Sequence, residues 1–271
     1  MDAHRTTDGS GPGEQLIFAA DWLELREPAD ATARAAALVG TLCDLALNRL
    51  PLVLRDMGCG TGSMGRWLAG RLPGPQHWIL QDRDPALLAV ATVTGPAADG
   101  GTVTFETRQG ELSGADLHGT SVLTASALLD ILTRDEIDGL AAACAEARCP
   151  ALLTLSVSGR VEFDPPDPLD AGLTAAFNDH QRREGRLGPD AVAAAAEAFA
   201  ECGMTVHTAP SPWRLDSGPL LEKWLRGWVA AACEQNPALT SEAGPYLARR
   251  LGNPDLRAIV HHTDLLAVAC P

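Results

Sequence analysis

Lysine and tyrosine are nearly missing: 271 residues hold one of each, Lys223 and Tyr246. The other 20 of the 21 basic residues are arginines, so Schiff-base or pyridoxal chemistry would have to run through Lys223 alone. Positive charge is short overall. Set against 35 acids it leaves a net charge of −14 at pH 7. Such a surface repels phosphate backbones and anionic bilayers, so neither nucleic acid nor a membrane is expected as a partner. The seven cysteines, at 43, 59, 144, 149, 202, 233 and 270, form no C-x-x-C pair. That dispersed set reads as the reduced thiols of a cytoplasmic protein, with no disulfide framework and no metal site. No stretch approaches the ~18 apolar residues of a membrane span. Met1–Gln15 is polar and Gly-rich with no apolar h-region, and is expected to be a flexible N-terminus rather than a signal peptide.

What remains is ordinary globular material, 46% hydrophobic and 21% charged, enough for one large α/β domain. Residues 16–50 read as N-terminal helices, with Leu38, Leu42 and Leu45 on one face. Strands and helices then alternate. Strands are expected at Leu52–Asp56, Trp78–Gln81, Val103–Thr107, Ser121–Ala125, Ala151–Val157, Met204–Thr208 and Leu256–Val268. A helix at Pro85–Val93 has proline in its first turn. Thr133 and Glu136 form a capping box for a helix at Asp135–Ala147, and Gly203 stops another at Asp190–Cys202. Single helices between strands imply right-handed βαβ units. The fold expected over 16–271 is one α/β domain, Rossmann-like and doubly wound, with a mainly parallel seven-stranded sheet. Helical insertions follow strands five and six, at 159–189 and 213–255.

The richest segment is Leu52-Val53-Leu54-Arg55-Asp56-Met57-Gly58-Cys59-Gly60-Thr61-Gly62-Ser63. A buried strand runs into a turn with glycine at alternate positions, which lets backbone bend sharply and approach a ligand closely. Unpaired N–H groups at the following helix start suit an anionic or polar ligand. Gly60-Thr61-Gly62-Ser63-Met64-Gly65 spells the dinucleotide fingerprint G-x-G-x-x-G. Asp56, however, stands at the strand end where a pyrophosphate would lie, and suits a zwitterionic, cationic ligand better.

Here the stretch resembles the class I S-adenosylmethionine (SAM) methyltransferases, whose first motif is an acid followed by G-x-G-x-G. Asp56, Gly58, Gly60 and Gly62 match every position. Asp82, 22 residues after Gly60 and ending the second strand, matches the family acid that takes both ribose hydroxyls; an acid at that distance also suits NAD. Asp84 reads as the cap of the next helix. By the same resemblance Glu111, in Gln109-Gly110-Glu111-Leu112, falls near the adenine amino group, and Cys59, Arg83 and Leu112 adjoin the cofactor. Ala125 and Ser126, at the end of strand four, would face the ligand crevice. The family usually has Asp where this chain has Ser121. Arg26 fits the place of a helix arginine near the methionine carboxylate in methyltransferases similar to trans-aconitate methyltransferase; the alternative is a solvated charge paired to Glu27 or Asp30.

The resemblance implies an enzyme, a SAM-dependent methyltransferase, with a small molecule as acceptor. Amino-group methylases of nucleobases carry [DN]-P-P-[FYW] after strand four, where this chain reads Thr124-Ala125-Ser126-Ala127. Asp164-Pro165-Pro166-Asp167 follows strand five, lacks the aromatic and reads as a loop. Should the acceptor carry a proton, His180 and Asp130 are the candidate bases. His180 lies about 200° around its helix from Asn178, so Asn178, His180 and Gln181 are not expected to share one pocket. His207 reads as a core histidine, and the adjacent His261 and His262 as structural. Trp213, Trp224, Trp228 and Tyr246 read as a core under two helices, or alternatively as a lid or homodimer face. Two competing functions stand beside the methyltransferase: an NAD(P)-dependent oxidoreductase, against which the lack of a Tyr-x-x-x-Lys pair counts, and a non-catalytic nucleoside-binding protein.

Overall fold

The computed structural model describes residues 20–111 and 116–269, with backbone alone for Asn48. The expected flexible start and Leu112 lie outside the described residues. Eight strands form one sheet in the order β3-β2-β1-β4-β5-β8-β6, where β1 is Leu52–Met57, β2 Gln76–Asp82, β3 Val103–Gln109, β4 Val122–Ser126, β5 Ala151–Asp164, β6 Met204–Pro210 and β8 Arg257–Ala269. The remaining strand, β7 (Trp213–Asp216), pairs with the far end of β8. Strands β1 to β5 are mutually parallel, while β8 runs antiparallel to β5, β6 and β7. The order reverses on either side of β1. In a doubly wound sheet the crevice outside the strand C-termini at that reversal is the ligand site. Asp56 ends β1 there, in register with Leu80 of β2 and Thr124 of β4.

Helices cover both faces because the central strands are apolar on both sides. On one face α2 (Ala36–Ala46) and α3 (Ser63–Leu68) bury Leu42, Trp67 and Leu68 against Leu54, Trp78 and Leu80. On the other, α5 (Arg134–Glu146) and α7 (Ala191–Glu201) bury Ile137, Ala141 and Phe199 against Leu123 and Leu265. The capping box forms as expected: Glu136 N–H donates to Thr133 Oγ1 and Thr133 N–H to Glu136 Oε2. The helix expected over Pro85–Val93 is shorter, α4 (Pro85–Leu88), because Thr92 turns back and its N–H donates to Thr61 O.

The sheet carries one strand more than the pattern predicts, and the insertions begin later. Gly159–Asp164 continues β5 beyond the end of β4, held by β8, with the alternating burial of a ribbon exposed on one side. Trp213–Asp216 is β7, so the two insertions contribute α6 (Asp170–Gln181) and then α8 (Pro219–Gln235) with α9 (Thr240–Leu251). These pack with α1 (Ala20–Ala33) around a third core of Trp22, Leu173, Trp213, Leu225, Trp228 and Tyr246. His207 is exposed because β6 is the sheet edge, contrary to the expectation of a core residue. Among the described residues no helix is long and apolar enough to cross a membrane.

Candidate functional site

A crevice of about 590 Å³ opens at the switch point. Its floor is the turn after β1, where Gly58, Gly60 and Gly62 all have positive φ, at 62°, 55° and 88°. Each glycine answers a different constraint. A Cβ on Gly58 would stand 3.0 Å from Leu128 Cδ1, and one on Gly60 2.9 Å from Leu23 Cδ1. A Cβ on Gly62 would lie 2.5 Å from Thr92 O. Gly62 therefore packs on backbone and is not on the crevice wall. Gly65 is likewise filled by Val93, 2.5 Å from a built Cβ. The literal G-x-G-x-x-G spelling is thus explained by helix packing.

Five carboxyl groups line the crevice, Asp56, Asp82, Asp84, Glu111 and Glu136, against two guanidinium groups, Arg26 and Arg83. Asp56 is buried; its Oδ1 accepts from Thr124 Oγ1 at 2.7 Å and its Oδ2 has no partner. Burial pushes its carboxyl up to about 7, although the Thr124 hydrogen bond and the Arg34 charge favour the ionised form. Asp82 Oδ2 accepts from Gly60 N–H at 2.9 Å and Oδ1 from Asp84 N–H at 3.0 Å. It shapes the loop and keeps spare lone pairs for a ligand. Asp84 caps α4 as expected, accepting from Ala86 N–H at 2.8 Å. Cys59 is buried on the wall, and burial pushes its thiol well up, so it is no thiolate nucleophile. Glu111 stands exposed at the rim, and Ser126 lines the crevice. Ala125 does not: strand alternation turns it into the core with Met57 and Leu123.

Helix α1 roofs this crevice. Leu23 covers Gly60, and Glu27 clamps Arg66 of α3 through two hydrogen bonds at 2.6 and 2.8 Å. Arg26 reaches the crevice, but its fork is given to Asp30 at 2.9 and 3.2 Å and lies 4.9 Å over the Trp213 ring. The paired alternative for Arg26 is the one the structure takes. The arginine that sequence reasoning missed is Arg34, just after α1. It is buried, donates to Ser63 Oγ at 3.3 Å and Ser126 Oγ at 3.1 Å, and leaves Nε and Nη1 unpartnered. The available signal was an arginine inside an alanine run, Ala33-Arg34-Ala35-Ala36-Ala37, where a charge has no packing reason to be.

A second cavity, about 170 Å³, shares Arg26, Ala127 and Ile131 with the first. Its walls are Trp22 of α1, Trp213 of β7, Phe177 of α6, and Trp224 and Trp228 of α8. Trp213, Trp224 and Trp228, expected as core, are therefore also chamber wall, while Tyr246 is core alone. Asp130 and His180, the two expected bases, both line it. Asp130 Oδ1 is buried without a partner, and burial raises its carboxyl while the Arg26 charge draws it down. His180 Nε2 lies 3.4 Å from Glu234 Oε2 at the α8 side. Asn178 instead donates to Gly159 O of β5 at 2.8 Å. Asn178, His180 and Gln181 all border the chamber, contrary to the helical-wheel expectation, because the cavity wraps the end of α6 between β5 and α8. His262 is buried on the same wall and pushed down to about 3 by burial, so it stays neutral. Near the shared wall, Leu155 takes a positive φ of 59° at a bulge held by its N–H to Asp264 Oδ1 at 2.7 Å.

No protein-family model matches this chain, and no curated protein sequence does. Solved structures of similar fold do. The cyclopropane synthase MmaA2 from Mycobacterium tuberculosis is 15% identical, with 84% of this chain and 83% of that one covered and a TM-score of 0.44. The YcgJ protein from Bacillus subtilis is 12% identical, with 88% and 100% covered and a TM-score of 0.48. Human N-acetylserotonin methyltransferase, solved with SAM, is 11% identical, with 93% and 54% covered and a TM-score of 0.46. At such identities the likeness is one of fold. The doubly wound α/β fold, with an acid and a glycine loop at its switch point, rests on the strand order and pairing of the chain itself.

Proposed function

We propose that the protein is a SAM-dependent methyltransferase acting on a small molecule. The observation that carries this reading is the adjacency of two unlike cavities: a polar crevice over the glycine loop and an apolar aromatic chamber, with Arg26, Ala127 and Ile131 in both walls. A methyl donor in the first would meet an acceptor in the second at that common wall.

The residues fit the donor. Asp56 Oδ2, on the crevice wall, and Nε and Nη1 of Arg34, buried behind the wall residues Ser63 and Ser126, are polar atoms with no partner. An amino-acid end, ammonium plus carboxylate, supplies the complement of both. The spare lone pairs of Asp82 suit ribose hydroxyls, and the exposed carboxyl of Glu111 at the rim suits an exocyclic amino group. A pyrophosphate would face five carboxyl groups against two guanidinium groups, one of which, Arg26, is already paired to Asp30. When bound, SAM supplies an electrophilic methyl group on a sulfonium. The chain's own part is alignment and dryness: α1 closes the roof, the indoles exclude water, and the common wall is made of Ala127, Ile131 and an Arg26 whose charge Asp30 offsets. Asp130 is the group that takes a proton from the acceptor, being buried, unpartnered and of raised proton affinity. Calorimetric titration with SAM and its demethylated product S-adenosylhomocysteine tests the cofactor. A screen of metabolites with a labelled methyl donor tests the transfer.

A further inference from the structure

The aromatic chamber has a chemistry of its own that narrows what can enter. Trp224 and Trp228 are stacked with centroids 5.7 Å apart, Trp22 and Trp213 meet edge to face at 6.5 Å, and Phe177 lies 6.4 Å from Trp228. Rings on several sides of a cavity this size favour a flat ligand, which stacks or meets them edge-on.

Charge narrows it further. Every arginine at the wall already holds a carboxylate: Arg26 with Asp30 at 2.9 Å, Arg160 with Glu162 at 2.5 Å and Arg186 with Glu184 at 2.5 Å. Among the described residues no guanidinium of this wall is left over for an anionic ligand, each being neutralised by its own carboxylate. Hydrogen-bonding capacity supplies the last constraint. Five side chains on this wall keep a buried polar atom without a partner: Trp22 Nε1, Trp228 Nε1, His262 Nδ1, Gln181 Oε1 and Asp130 Oδ1. The two indole N–H groups only donate, and the oxygens of Gln181 and Asp130 accept. A wall with that mixture asks for a ligand that both accepts and donates.

We propose that the chamber takes an uncharged planar aromatic molecule bearing a hydroxyl group, that is, a phenol, with its ring among the indoles and its hydroxyl at Asp130. Resting on the methyltransferase reading, the transfer is then to oxygen. The methyl carbon leaves the sulfonium, whose electron pair stays on sulfur as a thioether. An O–CH₃ bond forms from a lone pair of the phenol oxygen, and the hydroxyl proton passes to the Asp130 carboxylate.

The test is calorimetry on the whole chain with three probes of one shape: 2-naphthol, 2-naphthoate and decahydro-2-naphthol. S-adenosylhomocysteine is titrated separately. 2-Naphthol is expected to bind at least about ten-fold more tightly than either of the others, since the anion finds no free cation and the saturated ring no stacking. Trp228→Phe keeps a ring and removes one N–H, and should weaken 2-naphthol by roughly three- to ten-fold; if that variant does not fold, Trp22→Phe serves. Naphthoate or the saturated alcohol binding as well as naphthol overturns the proposal, as does no naphthol binding at all. S-adenosylhomocysteine binding without naphthol binding sinks the phenol and leaves the cofactor reading standing. Naphthol binding without S-adenosylhomocysteine keeps the ligand class and overturns the methyl transfer.

Discussion

Replacing Asp82 and Asp84 separately by alanine distinguishes two carboxylates that stand two residues apart and do different work. Asp82 holds the loop through Gly60 N–H and Asp84 N–H, and on the methyltransferase reading its remaining lone pairs take the cofactor ribose. Each hydrogen bond to a charged acceptor is worth about 1.5–3 kcal/mol. Losing two to the ribose should weaken SAM by about a hundred-fold or more, falling to about ten-fold where water replaces the carboxylate. Leaving Gly60 N–H unpaired adds to that loss by loosening the turn. Asp84 instead caps α4 by accepting from Ala86 N–H. Its removal should cost about 1 kcal/mol of stability and little affinity, a fall of roughly 2–4 °C in Tm for a chain of this size. The assay is calorimetry with SAM beside thermal melting of both variants and of Asp82→Asn, which keeps an acceptor for the loop. Asp82→Asn should fall between wild type and Asp82→Ala. Loss of binding in Asp84→Ala with binding kept in Asp82→Ala would refute the placement of the ribose.

Other outcomes follow from the same geometry. Gly60→Val should still melt cooperatively, at a Tm lowered by a β-branched residue at a φ of 55°, and should lose SAM because its side chain intrudes over the floor. Gly62→Ala should lose more stability than Gly60→Ala, because its Cβ meets Thr92 O at 2.5 Å and backbone cannot step aside; melting of the pair checks this. Asp56 is raised to about 7 by burial, so the folded chain binds a proton that the unfolded chain has released between about pH 4 and 7, and its share of stability falls as pH rises through that window. A ligand ammonium needs the ionised form, so SAM should bind more tightly at pH 8 than at pH 6, with proton release at the lower pH. Equal affinity at both would remove Asp56 from the contact. Arg34→Met should lower Tm, since it removes the buried charge that faces Asp30, Asp56 and Asp264 and leaves Ser63 and Ser126 without their donor. It should weaken S-adenosylhomocysteine by at least about ten-fold while leaving adenosine binding unchanged; parallel loss of adenosine would mean a general distortion.

Local signals were the ones the sequence made readable. The acid at the end of β1, the alternating glycines and the Asp84 cap are all set by backbone geometry within a few residues, and the structure has them where the pattern expects. The capping box of α5 is of the same kind. Features built from distant segments were not readable. Arg34 gains meaning only because α1 folds back to bring it against Ser63 and Ser126. The chamber joins side chains from α1, β5, α6, β7 and α8, which no periodicity links. Gly62 and Ala125 share the motif neighbourhood of true wall residues, yet packing on Thr92 and the two-residue alternation of β4 turn them elsewhere. The extension of β5 and the short β7 were hidden because a two-stranded ribbon alternates polar and apolar residues, as an exposed loop also can.

The central claim is that the crevice takes SAM and not a dinucleotide, and paired calorimetric titrations with SAM and NADH address it directly. Asp56, Asp82 and the unpartnered Arg34 atoms predict saturable SAM binding in the micromolar range, with no heat from NADH at the same concentrations. Saturable NADH binding without SAM binding would contradict the account at its base.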